Sequence, residues 1–134
     1  MTPERTKEIY QDFTNALSRL NEALNDDLSK GSIVIDGTIQ RFEFTFELAW
    51  KLKRAILNYR GIEANTPRDV IKEAYRAYLI SDGDGWISML DDRNMTAHIY
   101  DETKALEIYK KIKDNHLKLL LELVKKAGEF LKNE

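Results

Sequence analysis

Cysteine is absent from the 134 residues, which excludes disulfides, thiolate metal sites and cysteine nucleophiles together and suits a reducing compartment. Proline occurs twice and glycine six times, so few residues break helices. Long apolar runs are missing too. The greasiest stretch, "LKLLLELV", is too short and too charged to span a bilayer, and the first ten residues, "MTPERTKEIY", contain no apolar h-region. A soluble cytoplasmic protein without membrane association is expected. Neither sign of charge dominates: 21 basic against 23 acidic residues leave a net charge of −2, which gives no global pull toward nucleic acid. RNA binding would have to rest on local charge. The one marked imbalance lies between Lys51 and Arg76, where seven basic residues face three acidic ones, and such excesses are most often solvated faces.

Hydrophobic residues at 43% and charged residues at 33% describe a folded chain with a real core, long enough for one domain, residues 1–134, and too short for two ordinary ones. Thr2 and Pro3 read as a helix start, hydroxyl cap followed by proline at the first helical position. Ile9, Phe13, Ala16, Leu17, Leu20 and Leu24 then recur at three and four. "SKGSIVIDG" reads as an interruption. A second long helix carries Ile39, Phe42, Phe46, Ala49, Leu52, Ile56 and Tyr59 on one stripe and closes near Gly61. Phe44, Leu48, Trp50 and Leu57 fall outside that stripe, so this helix is expected to bury two faces, one against another chain.

Thr66, Pro67 and Asp69 open a third helix with Val70, Ile71, Ala74, Tyr75 and Tyr78 inward, and "SDGDG" reads as the turn that ends it. The acidic turn is not a calcium loop, because Trp86 and Ile87 occupy positions where such a loop needs a ligand and a glycine. A fourth helix starts near Trp86. A fifth runs from about Glu102 to the C-terminus with Ala105, Ile108, Ile112, Leu119, Leu123 and Phe130 inward. No strand-like alternation of useful length is present. The expected fold is all-α, an antiparallel up-and-down bundle of four to five helices.

One short stretch stands apart from this pattern. "DDRNMTAHIYDE" (91–102) places an arginine, a histidine and a tyrosine within eight positions. Trp86, Met89, Leu90, Arg93, Ala97 and Tyr100 follow helical spacing, so a cation occupies a position where leucine would fit. On a continuous helix Arg93 and His98 would stand roughly 140° apart. They converge only if the helix ends between them or if two copies of the chain share the site. Asp101 is suited to cap a following helix, which makes a break near 97–100 credible. Spacing alone leaves a structural reading open, in which Arg93 snorkels or pairs with Asp91, Asp92 or Asp101 while His98 and Tyr100 flank a turn. A metal site built on His98 and these acids is weaker, since their spacing makes a poor ligand shell. His116 sits between Ile112 and Leu119 and reads as a core or boundary histidine.

"RNMTAHIY" fits R-x4-H-x-Y, and "FELAWKLKRAIL", "TPRDVIKEAYRAYLI", "DGWISMLDDRNMTAHIYDE" and "ALEIYKKI" follow as blocks in the same order. These resemble HEPN-domain proteins of the HepT type, in the branch of nucleotidyltransferase substrate-binding proteins. The resemblance covers nearly the whole chain and implies a dimeric helical bundle with the motifs of both protomers near a shared cleft. It also implies a partner, a minimal MntA-like nucleotidyltransferase encoded nearby. In toxin–antitoxin members the HEPN protein is a metal-independent ribonuclease that needs no cofactor, silenced by AMP transfer to the motif tyrosine. By this resemblance Arg93 and His98 form the catalytic pair, Asn94 a supporting polar group, and Tyr100 the acceptor of AMP.

The residue types suit that chemistry. RNA supplies its own 2′-hydroxyl nucleophile, so the protein needs a proton acceptor such as histidine and a fixed cation for charge developing on the phosphate. Two other readings stay open. A non-catalytic subunit presenting a substrate or itself to the nucleotidyltransferase suits the acidic pI near 5.8. A purely structural scaffold is disfavoured by a cation on an apolar stripe, since burying charge for stability alone is rarely worthwhile.

Overall fold

The computed structural model describes residues 3–132, all of its regular structure helical. Helix α1 (Pro3–Leu24) and helix α2 (Ser32–Tyr59) form the longest pair, followed by α3 (Pro67–Arg76), α4 (Gly83–Met95), α5 (Glu102–Lys111) and α6 (Leu117–Lys132). A wide turn with i to i+5 bonding, Ile112–His116, joins α5 to α6, so that five helical rods make up the bundle. Helix α2 packs on α1, α3, α4, α5 and α6 and is the axis of the assembly. The expected cap at Thr2 lies outside the described residues, and Pro3 opens α1.

Local chemistry explains most boundaries. The Thr66 hydroxyl accepts from the Asp69 N–H at 3.2 Å, as its cap position predicts. Helix α2 ends in a paired cap: the Ile62 N–H reaches the Leu57 carbonyl and the Gly61 N–H the Asn58 carbonyl, with Gly61 at φ +80° supplying the left-handed residue. Ala105, Ile108, Ile112, Leu119 and Leu123 are buried, as their spacing implied.

Several expectations are corrected. "SKGSIVIDG" does not interrupt the chain beyond Gly31. Asp27 caps a 3-10 turn (Leu28–Lys30), Gly31 at φ +112° redirects the chain, and Ser32 already begins α2. Burial of Val34 and Ile39 outweighs the weak helix preference of the β-branched run. Leu57 is fully buried, as the expected second buried face of α2 requires, but helices of the same chain cover it; Phe44 of that group is exposed, and Tyr59, expected inside, is exposed at the helix end.

Tyr75 and Tyr78, expected inward, are 53% and 82% exposed. After α3 the Leu79 N–H bonds to the Ala74 carbonyl and the Tyr78 N–H to the Tyr75 carbonyl, the same paired cap as at Gly61. Tyr78 takes its left-handed position at φ +62°, and the reversal turns Tyr78 outward and Leu79 and Ile80 inward. "SDGDG" opens α4 rather than merely closing α3, since the Asp82 carboxylate accepts from the Gly85 N–H at 2.8 Å. The expected single fifth helix is divided by the wide turn.

The core holds one unusual group. Lys53 is fully buried, its Nζ has no hydrogen-bond partner among the described residues, and it lies 3.4 Å from the centroid of the Trp86 ring. The ring face attracts a cation, but desolvation of an ammonium is the larger effect. Burial accordingly pushes the Lys53 pKa well below 10.5. Between that lowered value and 10.5 the unfolded chain binds a proton that the folded chain does not, so over this window the group makes stability rise with pH. Lys53→Met should raise stability near neutral pH by about 1–3 kcal/mol. Urea unfolding at a series of pH values should show the gain shrinking toward pH 10; an equal or lower midpoint for the variant at neutral pH would contradict this account.

Candidate functional site

The site forms where α4 ends. The Thr96 hydroxyl stands 2.6 Å from the Arg93 carbonyl, a local bond that competes with the regular ladder. The chain tightens into a 3-10 turn (Thr96–His98) and becomes extended at Ile99. Asp101 then caps α5, its carboxylate accepting from the Lys104 N–H at 2.8 Å. The helix thus breaks between Arg93 and His98, at the end of a stripe that had implied continuity as far as Tyr100.

Arg93 is half-buried against α2. Its Nη1 lies 3.4 Å from the Glu43 carboxylate and 3.4 Å from the Thr96 hydroxyl, and Nε is buried with no hydrogen-bond partner among the described residues. The Thr96 hydroxyl has one proton for two acceptors, the Glu43 carboxylate at 2.9 Å and the Arg93 carbonyl. Arginine, threonine and glutamate thus form a closed triangle between α2 and α4. None of the three carboxylates weighed from the sequence holds Arg93. Asp91 reaches Arg68 at 3.5 Å, Asp92 bonds His116 at 2.6 Å, and Asp101 caps α5.

The other motif residues lie on the surface. Asn94 and His98 are exposed, and no hydrogen bond or ion pair joins His98 to Arg93 among the described residues. Tyr100 is 86% exposed on the segment leading into α5, not on the apolar stripe of α4 as its spacing suggested. Sequence reading missed Glu43 and Thr96. The only available signal was a carboxylate inside the apolar run "RFEFTFELAW", where a charge facing the core needs a partner.

Beneath the triangle lies a second buried pair. His116, at the end of the wide turn, bonds Asp92 through Nε2, while Lys111 Nζ lies 3.3 Å from the other carboxylate oxygen. Desolvation lowers the His116 pKa, with the Asp92 bond opposing it and Lys111 adding to it. Among the described residues no group of three or more His, Cys, Asp or Glu is arranged to hold a metal ion, and no helix is long and apolar enough to cross a membrane.

An all-helical bundle with an arginine fixed at a broken helix end, followed by an exposed histidine and tyrosine, is the class of protein these features define. The chain belongs to the family described as "Nucleotidyltransferase substrate binding protein like", which matches residues 8–129. It is 36% identical over 104 residues to the "Probable ribonuclease HepT" of Haemophilus influenzae, covering 72% of this chain and 71% of that protein. A crystal structure of a protein from Thermus thermophilus superposes with a TM-score of 0.78 at 31% identity, covering 86% of this chain and 98% of the other. HI0074 from Haemophilus influenzae, described as revealing the fold of a substrate binding domain of a nucleotidyltransferase, gives a TM-score of 0.65 at 28% identity, with 95% and 99% covered.

Because the Thr96 hydroxyl links both members of the ion pair, Thr96→Val should lower stability by about 1 kcal/mol, whereas Thr96→Ser should stay close to wild type. Thermal or chemical unfolding of the three proteins measures this, and equal losses for both variants would assign the effect to packing instead.

Proposed function

We propose that this protein is a metal-independent endoribonuclease of the toxin type, with Arg93 and His98 as its catalytic pair and Asn94 in support. A partner nucleotidyltransferase silences it by transferring AMP to Tyr100. The observation that carries this reading is the contrast within the motif: Arg93 is anchored by Glu43 and Thr96, while His98 and Tyr100 are open to solvent. A guanidinium has five N–H donors, and both anchoring contacts use Nη1, so donors remain for a phosphate. The relative named as a probable ribonuclease supports the same reading.

In this mechanism His98 removes the proton from the RNA 2′-hydroxyl as its oxygen attacks the adjacent phosphorus. The bond from phosphorus to the 5′-oxygen breaks, and that oxygen takes a proton from a second acid. Arg93 stabilises the charge developing on the non-bridging oxygens. The products are a 2′,3′-cyclic phosphate and a free 5′-hydroxyl. One chain has one motif histidine, so a homodimer with a shared cleft would supply the second acid. Phe44, 63% exposed, lines a groove between α1 and α2 together with Leu48 and provides apolar surface for such an interface.

The HI0074 description and the acidic net charge favour a second reading, a non-catalytic subunit that binds substrate for the nucleotidyltransferase. Cleavage separates the two readings. Purified protein free of AMP should cut RNA, tRNA first, in the presence of EDTA, and His98→Ala should abolish cutting. Mixing Arg93→Ala with His98→Ala chains should restore part of the activity if the cleft is shared. Metal-dependent cutting, or cutting that survives His98→Ala, would defeat the ribonuclease; no rescue on mixing would defeat the shared cleft.

Co-expression with the adjacent nucleotidyltransferase should raise the intact mass by whole AMP residues, and Tyr100→Phe should prevent it. AMP on Tyr100, two residues from His98, would set a bulky anion beside Arg93 and exclude the RNA phosphate. An unchanged mass, or one that still rises in Tyr100→Phe, would remove the silencing step.

A further inference from the structure

Arg93 and Glu43 come from different helices, yet the residue before each touches the same buried ring. Asp92 precedes Arg93 and bonds His116 Nε2 at 2.6 Å. Phe42 precedes Glu43 and stacks on the His116 imidazole, with centroids 5.7 Å apart and planes 17° apart. His116 is 1% exposed. It ends the wide turn Ile112–His116, a helical irregularity that is rare and concentrated at functional sites.

Hydrogen bonding fixes the state of the ring. Nδ1 is buried with no hydrogen-bond partner among the described residues. A neutral imidazole donates from Nε2 to the Asp92 carboxylate and leaves only a lone pair unmatched at Nδ1. A second proton would bury an N–H with no acceptor, which costs more. A leucine at 116 and an apolar residue at 92 would fill the same space without desolvating two polar groups. What the polar pair adds is direction, since a short buried hydrogen bond fixes the rotation of the last turn of α4 in a way that apolar contact does not. Lys111 balances the Asp92 carboxylate, so that Glu43 is the acid left to face Arg93.

We propose that His116 is a positioning residue for the ribonuclease centre, holding Arg93 through Asp92 and its counter-charge Glu43 through Phe42. The proposal rests on reading Arg93 as the cation that meets the phosphate. It extends the functional unit to the wide turn between α5 and α6, outside the motif.

Two substitutions in the full chain test it. His116→Phe keeps a ring against Phe42 and loses the bond to Asp92; His116→Gln places an amide nitrogen near the position of Nε2 and loses the ring. Each is measured by steady-state cleavage of a defined oligoribonucleotide and by the NMR resonance of the Arg93 side-chain Nε–Hε, identified by its loss in Arg93→Lys. His116→Phe should lower kcat about a hundredfold, with little change in KM, and shift the Arg93 resonance while circular dichroism keeps its helical form. His116→Gln should recover about a tenth of the wild-type rate or more. A folded His116→Phe with wild-type kcat and an unmoved Arg93 resonance would overturn the proposal, as would an effect on KM alone. Should His116→Phe fail to fold, Asp92→Asn reads the same two quantities, and wild-type values for both overturn it. If the wild-type protein cuts no RNA, the ribonuclease reading fails, and the Arg93 resonance alone decides whether His116 positions that side chain.

Discussion

Helix α2 is in contact with every other helix of the bundle, and this one constraint organises the molecule. A helix covered from several directions cannot confine its apolar residues to a single stripe, and polar residues on it are drawn inside with the rest. Lys53 goes into the core against Trp86 for that reason. Glu43, half-buried on the side facing α4, can meet Arg93 there. Phe42 meets His116 on the same helix, one residue before Glu43. The charged triangle at the end of α4 is thus a consequence of how thoroughly α2 is enclosed.

The 93–100 segment divides into a held part and a free part. Arg93 is held by the Glu43 carboxylate of α2 and the Thr96 hydroxyl. His98 and Tyr100 follow the helix break and stand open to solvent. Such an arrangement leaves the histidine and the tyrosine accessible from outside while the arginine stays in place. The family to which the chain belongs is described by its likeness to nucleotidyltransferase substrate-binding proteins, and one relative is named as a probable ribonuclease.

Some of the local chemistry, with partners a few residues apart, was legible in the sequence. The caps at Thr66 and Asp101, the left-handed Gly61 and the helix break after Arg93 all follow from short-range patterns. Tyr75 and Tyr78 were misjudged because an α-helical period was carried past a reversal in which a tyrosine takes the position usually given to glycine. The division of the last helix was hidden because Ile112, His116 and Leu119 keep helical spacing across the wide turn. Glu43 could not be paired with its partners from spacing at all, since it stands 53 residues from Thr96 and only the packing of α2 on α4 unites them.

The placement of the two tryptophans has an optical consequence. Trp86 is enclosed in the core beneath the Lys53 amine, while Trp50 is half-buried on α2, with the Arg54 guanidinium carbon 5.1 Å from its ring centre. One indole therefore samples the dry junction of α2 and α4, and the other samples a wetter flank of α2. Their emission should fall at different wavelengths, and a soluble quencher should reach the half-buried Trp50 more readily than the enclosed Trp86. The unlabelled protein carries two separate fluorescent gauges, one for opening of its interior and one for events along its outer helix face.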